Sequence, residues 1–320
     1  MRIIRMQPVF KFQPISFSWV ALHPQPKGVI QFIGGTFFGT FPTVFYRDFL
    51  KKLFADGYTI VALPFRFSFR HWPIAVSLLQ EQEILRKELT EVAKKLGWES
   101  DIYQERSSYF WVGHSLGCKY IALLEFLSDA NWQNIANQCY GQDENRQIQK
   151  LIYNSSIETP SIKGQPSLLI APDISNTESA IPIRALAVLL DKLGLGVRPT
   201  RAETQCFIAS SSLFNLTALI SFDRDDIAGS VRDIDKSLEV QKNSDVLWLV
   251  EQLKARDLPV LTREIEGTHL SPIAIETGNY IVGLNHFNAF IKPIKYRLLE
   301  AECVKFLSAL KLKSAPKVDR

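Results

Sequence analysis

The chain has 320 residues, 46% of them hydrophobic and 22% charged, enough apolar material for one large core and too ordinary a balance for a disordered chain. Its net charge of +4 is spread over mixed acids and bases, so no basic stripe faces a phosphate backbone and nucleic acid is excluded as an expected partner. No window approaches the run of about 18 to 20 apolar residues that spans a bilayer, and a cytoplasmic protein, at most peripheral at a membrane, is expected.

The first 22 residues carry Phe10, Phe12, Ile15, Phe17 and Val20 and predict one or two antiparallel strands, with Pro8 and Pro14 favouring a sheet edge. After the turn HPQPKG comes a strand over Val29–Ile33 that ends in Gly34-Gly35. Apolar residues recur at helical spacing from Thr43 to Ala55, and Gly57 stops that helix. Tyr58–Leu63 is the next buried strand. The loop PFRFSFRHWP follows, then a polar helix from about Leu78 to Leu96 stopped at Gly97.

Tyr109–Val112 is a short apolar strand that runs into Gly113-His114-Ser115-Leu116-Gly117 and a helix from Leu116 to about Leu127. Residues 129–150, polar and rich in Asn and Gln, read as an excursion. A strand over Leu168–Ala171 and a helix over Ile183–Leu193 precede a second lid-like stretch at 195–215. Leu216–Phe222 is a strand, Asp245–Ala255 a helix, Val260–Ile265 the last strand, and Tyr296–Leu310 a terminal amphipathic helix. Strands alternating with helices predict an α/β architecture: one domain over residues 1–320, its mostly parallel sheet wrapped by helices. The four cysteines, Cys118, Cys139, Cys206 and Cys303, form no C-x-x-C pair and read as reduced thiols. There is no P-loop and no G-x-G-x-x-G, so no nucleotide, flavin or metal cofactor is expected.

Gly113-x-Ser115-x-Gly117 between strand and helix is the context of a nucleophile elbow, in which a tight turn exposes the serine oxygen and glycines keep neighbours out of its way. Acyl transfer also needs two N–H donors for the oxyanion. One is Leu116, directly after the serine. The other belongs to the loop Gly34-Gly35-Thr36-Phe37-Phe38-Gly39, with Thr36 the first choice and Gly35 the second.

Of five histidines, His23 and His71 precede the serine, whereas this fold orders its triad Ser, acid, His. His114 belongs to the elbow itself. His269, in EGTHLSP just after the last strand, is the expected general base, and His286 in GLNHFN is its competitor. The strand LISF ends at Phe222, and Asp225, ahead of Ile227, is the expected acid, with Asp223 and Asp226 in solvating or capping roles. An acid so placed fixes the imidazole tautomer and stabilises the imidazolium.

The GGTFFG loop, GHSLG elbow, SFDRDDIA strand end and EGTHLSP loop resemble an uncharacterised α/β-hydrolase family of cyanobacteria and plastids, the domain of unknown function 1350. The resemblance runs from about residue 17 to about residue 310 and implies the α/β-hydrolase fold and a photosynthetic source. The chain departs from well-studied hydrolases at Gly34, where histidine is usual, and at Gly229, where proline often follows the acid.

Two functions are open at this point. One is a serine hydrolase acting on a small-molecule ester, thioester or lipid; Phe37, Phe38, Phe65, Phe67 and His114 are then its expected pocket, with Arg66 and Arg70 a cationic rim. The other is a binding or assembly factor that keeps the fold with an idle triad.

Overall fold

Long apolar strands, each buried along its whole length, make the centre of the molecule: β3 (Gly28–Ile33), β4 (Tyr58–Ala62), β5 (Tyr109–His114), β6 (Ser167–Ile170) and β7 (Thr217–Phe222). Burial on both faces is the mark of a parallel sheet covered by helices. The computed structural model describes residues 8–155, 161–174, 196–214, 217–284 and 290–314. β1 (Gln13–Ile15) and β2 (Ser18–Ala21) form an antiparallel edge, and β8 (Leu261–Ile265) forms the other. The strand order is β1-β2-β4-β3-β5-β6-β7-β8, with every pair from β4 to β8 parallel. Pro14 lies in the edge strand β1, where its missing N–H costs no ladder bond.

Side chains alternate between the two faces. Ile30 and Phe32 pack on one side with Tyr46 and with Phe49 of α2 (Arg47–Ala55). Val29 and Ile33 pack on the other with α3 (His71–Lys95) and α4 (Leu116–Leu127), against Leu79, Ile121 and Leu124. The short α1 (Pro42–Phe45) leads into α2.

The interval 129–150 is not loose chain. It holds α5 (Trp132–Cys139) and most of α6 (Gln142–Asn154), whose Ile135, Ala136 and Ile148 are buried beside α3 and α4. The interval 195–215 holds α7 (Arg201–Ser210), capped by Thr200 and Glu203 in a reciprocal capping box. α5 and α7 meet, and Cys139 and Cys206 form a disulfide with Cα atoms 5.8 Å apart. That corrects the reading of four reduced thiols and removes its argument for a reducing compartment; Cys118 and Cys303 are free and buried. α3 also begins earlier than expected, at His71, because Pro73 sits in its first turn, where a proline lacks no bond. The helix expected over 183–193, together with residues 195 and 215 and His286, lies outside the described residues.

The remaining α-helices among the described residues are α8 (Leu238–Asn243), α9 (Asp245–Lys254) and α10 (Leu298–Ser314). A small antiparallel sheet, β9 (Ala274–Thr277), β10 (Tyr280–Gly283) and β11 (Ile291–Pro293), stands between β8 and α10. It was not foreseen. No described helix is long and apolar enough to cross a membrane.

Candidate active site

Register sets the site. Ile33 of β3 pairs with Gly113 of β5, so the loop after β3 and the elbow after β5 leave the sheet side by side. This is where the chain turns in opposite directions across an open sheet, the usual place for a ligand crevice. Phe222 of β7 pairs with Ile265 of β8, which sets the acid loop against the histidine loop in the same way.

Ser115 stands alone between β5 and α4 with φ 55° and ψ −123°, a conformation that costs a side-chain-bearing residue on the order of 1–3 kcal/mol. Its N–H donates to the Ile170 carbonyl at 3.0 Å and its carbonyl accepts from Cys118 at 2.9 Å, which holds the turn. The flanking glycines make the close approach feasible. A Cβ on Gly113 would come within 2.7 Å of Ile121, and one on Gly117 would run into the Ile33 carbonyl oxygen.

Ser115 Oγ lies 2.8 Å from His269 Nε2, and His269 Nδ1 lies 2.9 Å from Asp225 Oδ2. An ionised carboxylate only accepts, so Nδ1 carries the proton and Nε2 is left to accept from the serine hydroxyl. Asp225 is itself aimed by two backbone donors, the N–H groups of Ile227 and Ala228, both 2.9 Å from Oδ1. The histidine loop is fixed from two sides: Gly267 N–H donates to Asp223 at 2.8 Å, and Thr268 N–H donates to Ser271 Oγ at 2.8 Å. Asp223 therefore joins the two loops, and exposed Asp226 does not. All three triad side chains are buried.

Of the expected oxyanion donors, Leu116 is the first residue of α4, and neither its N–H nor that of Thr36 has an acceptor among the described residues. Gly35 differs. Its N–H already donates to the Tyr46 hydroxyl at 2.8 Å, so it is withdrawn as a donor. What Gly35 supplies is proximity, since a Cβ there would stand 3.0 Å from that of Ser115. Gly34 is required for a related reason: the Tyr46 ring occupies the space a side chain would need. After the acid, Gly229 has φ 84°, which a proline cannot adopt.

His114 was expected in the pocket and is not there. It is buried, with Nε2 2.8 Å from the His269 carbonyl and Nδ1 2.8 Å from Tyr46 Oη. The carbonyl can only accept, so Nε2–H donates to it, the Tyr46 hydroxyl donates to Nδ1, and the same hydroxyl oxygen accepts from Gly35. This neutral relay ties the oxyanion loop to the histidine loop beneath Ser115. Burial, and then the charge on His269, hold the His114 pKa well below the usual histidine value, as the relay needs.

The phenylalanines divide. Phe65 is core, edge-on to Tyr120, and is not a pocket residue; Phe38 is half-buried, edge-on to Phe45. Phe37, 57% exposed, stacks on Phe67 at 4.7 Å between ring centroids, and Phe67 meets Phe69 at 5.2 Å. Those three form a continuous aromatic strip beside the oxyanion loop. One turn past Ser115, buried Lys119 donates to the Pro199 carbonyl at 2.7 Å and so anchors the segment before α7. Burial pushes its pKa down to about 8, against the pull of Asp173, Asp245 and Glu203.

The sequence matches the family described as "Protein of unknown function (DUF1350)" over residues 11–300. No curated protein matches it. Among solved structures it is similar to esterase B of Lactobacillus rhamnosis, with TM-score 0.51, 13% identity, 92% of this chain and 82% of that one covered. It is also similar to Thermogutta terrifontis esterase 2 phosphonylated by sarin, with TM-score 0.48, 14% identity, and 97% and 95% covered. The fold is that of the α/β-hydrolases.

Proposed function

The chain belongs to the DUF1350 family, and on that footing we propose that it is a one-domain serine hydrolase that cleaves a carboxylic ester or thioester, lipid esters included, through an acyl-enzyme. A cyanobacterial or plastid source is part of the proposal and rests on the motif resemblance alone. What supports the reading is one unbroken line of hydrogen bonds, Ser115 Oγ to His269 Nε2 and His269 Nδ1 to Asp225, ending on a serine held at positive φ.

Ser115 Oγ attacks the acyl carbon while its proton passes to His269 Nε2. Asp225 holds the tautomer and stabilises the imidazolium without taking that proton. The N–H groups of Leu116 and Thr36 receive the oxyanion. His269 then gives the proton to the departing alcohol or thiol, and water repeats the sequence to release the acid and restore the serine.

The test is turnover of short p-nitrophenyl esters and an acyl thioester by the wild type and by Ser115→Ala. Wild-type activity that the variant loses by several orders of magnitude, with an unchanged melting curve, is expected. A wild type inert toward every ester and thioester overturns the reading in favour of a binding or assembly role.

A further inference from the structure

A cleft of about 330 Å³ opens between the small sheet and the histidine loop. That volume sits at the lower end of the range, about 300–1,000 Å³, of small-molecule sites. Gly267, Leu270 and Ser271 of the histidine loop line it, whereas Ser115, Asp225 and His269 do not. It is therefore a separate concavity that shares one wall with the candidate active site.

Its floor is apolar, made by Phe222 and Ile265 at the ends of β7 and β8, by Ile281 of β10 and by Leu299 of α10. Its charged residues are three cations, Arg224, Lys292 and Arg297, against one carboxylate, Glu266. Two of the cations are already neutralised. Arg224 pairs with Glu266 at 3.0 Å, and Arg297 pairs with Glu300. Lys292 has no carboxylate within ion-pair reach among the described residues. Partial burial, and then the charge of Arg297, lower its pKa. α10, 17 residues long, also begins at this cleft, with Leu298 and Leu299 of its first turn in the lining. The positive end of the helix dipole lies there, partly met by Glu300 of the first turn, which accepts the Arg297 N–H at 2.9 Å.

We propose that this cleft binds an anionic amphiphile, a hydrocarbon chain ending in a carboxylate or phosphate, with the chain on the apolar floor and the head group between Lys292 and the start of α10. Arg297 links the cleft to the histidine loop. Its Nη1 donates to the Ser271 carbonyl at 2.7 Å, and Ser271 Oγ accepts the N–H of Thr268, the residue before His269. A ligand that draws on Arg297 thus acts on the loop that carries His269. The binding itself does not depend on Ser115 being a nucleophile.

The test is calorimetric titration of the full chain with decanoate, decyl phosphate and decanol, each below its micelle concentration. Saturable one-to-one binding of at least one anion is expected, about tenfold or more tighter than decanol, in keeping with a charge-assisted contact. Lys292→Gln should weaken the anion by about tenfold or more and leave decanol unchanged, and Lys292→Arg should restore the affinity. Whichever anion binds tighter identifies the head group. No saturable binding of either anion, or a Lys292→Gln protein with wild-type affinity for both, overturns the proposal.

Discussion

At the scale of single residues, the site rests on three side chains at strand ends and on a relay beneath them. The triad was legible in the sequence because each member follows an apolar strand by a few residues: Ser115 after β5, Asp225 after Phe222 and His269 after Ile265. The relay was not. Tyr46 lies in an apolar helical run where only its ring enters the pattern, and His114 was expected in the pocket. The strand instead turns it inward, onto Tyr46 and the His269 carbonyl. His114→Ala removes both hydrogen bonds and leaves the Tyr46 hydroxyl without an acceptor and that carbonyl without a donor, both buried, while the Gly35 N–H still donates to Tyr46. We expect kcat to fall by about tenfold to a hundredfold with KM little changed, from a loss of about 1–3 kcal/mol in the positioning of His269. Unchanged kcat in a folded variant would remove the relay from the account.

At the scale of elements, what could be read depended on how strongly each segment alternates. Strands buried on both faces were found within a residue or two. β9, β10 and β11 are three or four residues long and half exposed, too short for a period-two pattern to stand out from a loop. α5 and α6 were hidden by Asn and Gln on their exposed faces. The Cys139–Cys206 pair, 67 residues apart, is created by the meeting of α5 with α7, and no local spacing announces it. The aromatic strip carries the prediction at this scale. Among the described residues Phe37, Phe67 and Phe69 form one aromatic strip, and if it holds the acyl chain Phe37→Ala should lower kcat/KM for long-chain esters more than for acetate. Each methylene lost from contact is worth up to about 0.8 kcal/mol, a few-fold. An ester series from acetyl to palmitoyl on both proteins measures this, and equal losses at every chain length would detach the strip from substrate binding.

At the scale of the whole molecule, one sheet serves both as core and as the rigid base of the site, and its stability responds to pH through a group far from the chemistry. Glu125 of α4 is buried against Ser167 of β6, at 3.2 Å. Burial raises its pKa from 4.5 to about 7. With the folded value above the unfolded one, its favourable contribution is full below 4.5 and is lost as the pH rises through about 7. Glu125→Gln removes the ionisation, so the stability of the variant relative to wild type should improve by roughly 2–3 kcal/mol between about pH 5 and about pH 8 in urea titrations. A difference independent of pH would mean that Glu125 is not buried as described. The central claim, that Ser115 is an activated nucleophile, has a more direct test. A fluorophosphonate forms a covalent bond only with a serine whose proton is being withdrawn. Wild-type protein treated with the probe, digested and mapped by mass spectrometry should carry a single adduct on Ser115, strongly reduced in His269→Ala and absent in Ser115→Ala. An unlabelled wild type, or an adduct on Ser115 that forms as fast without His269, would contradict it.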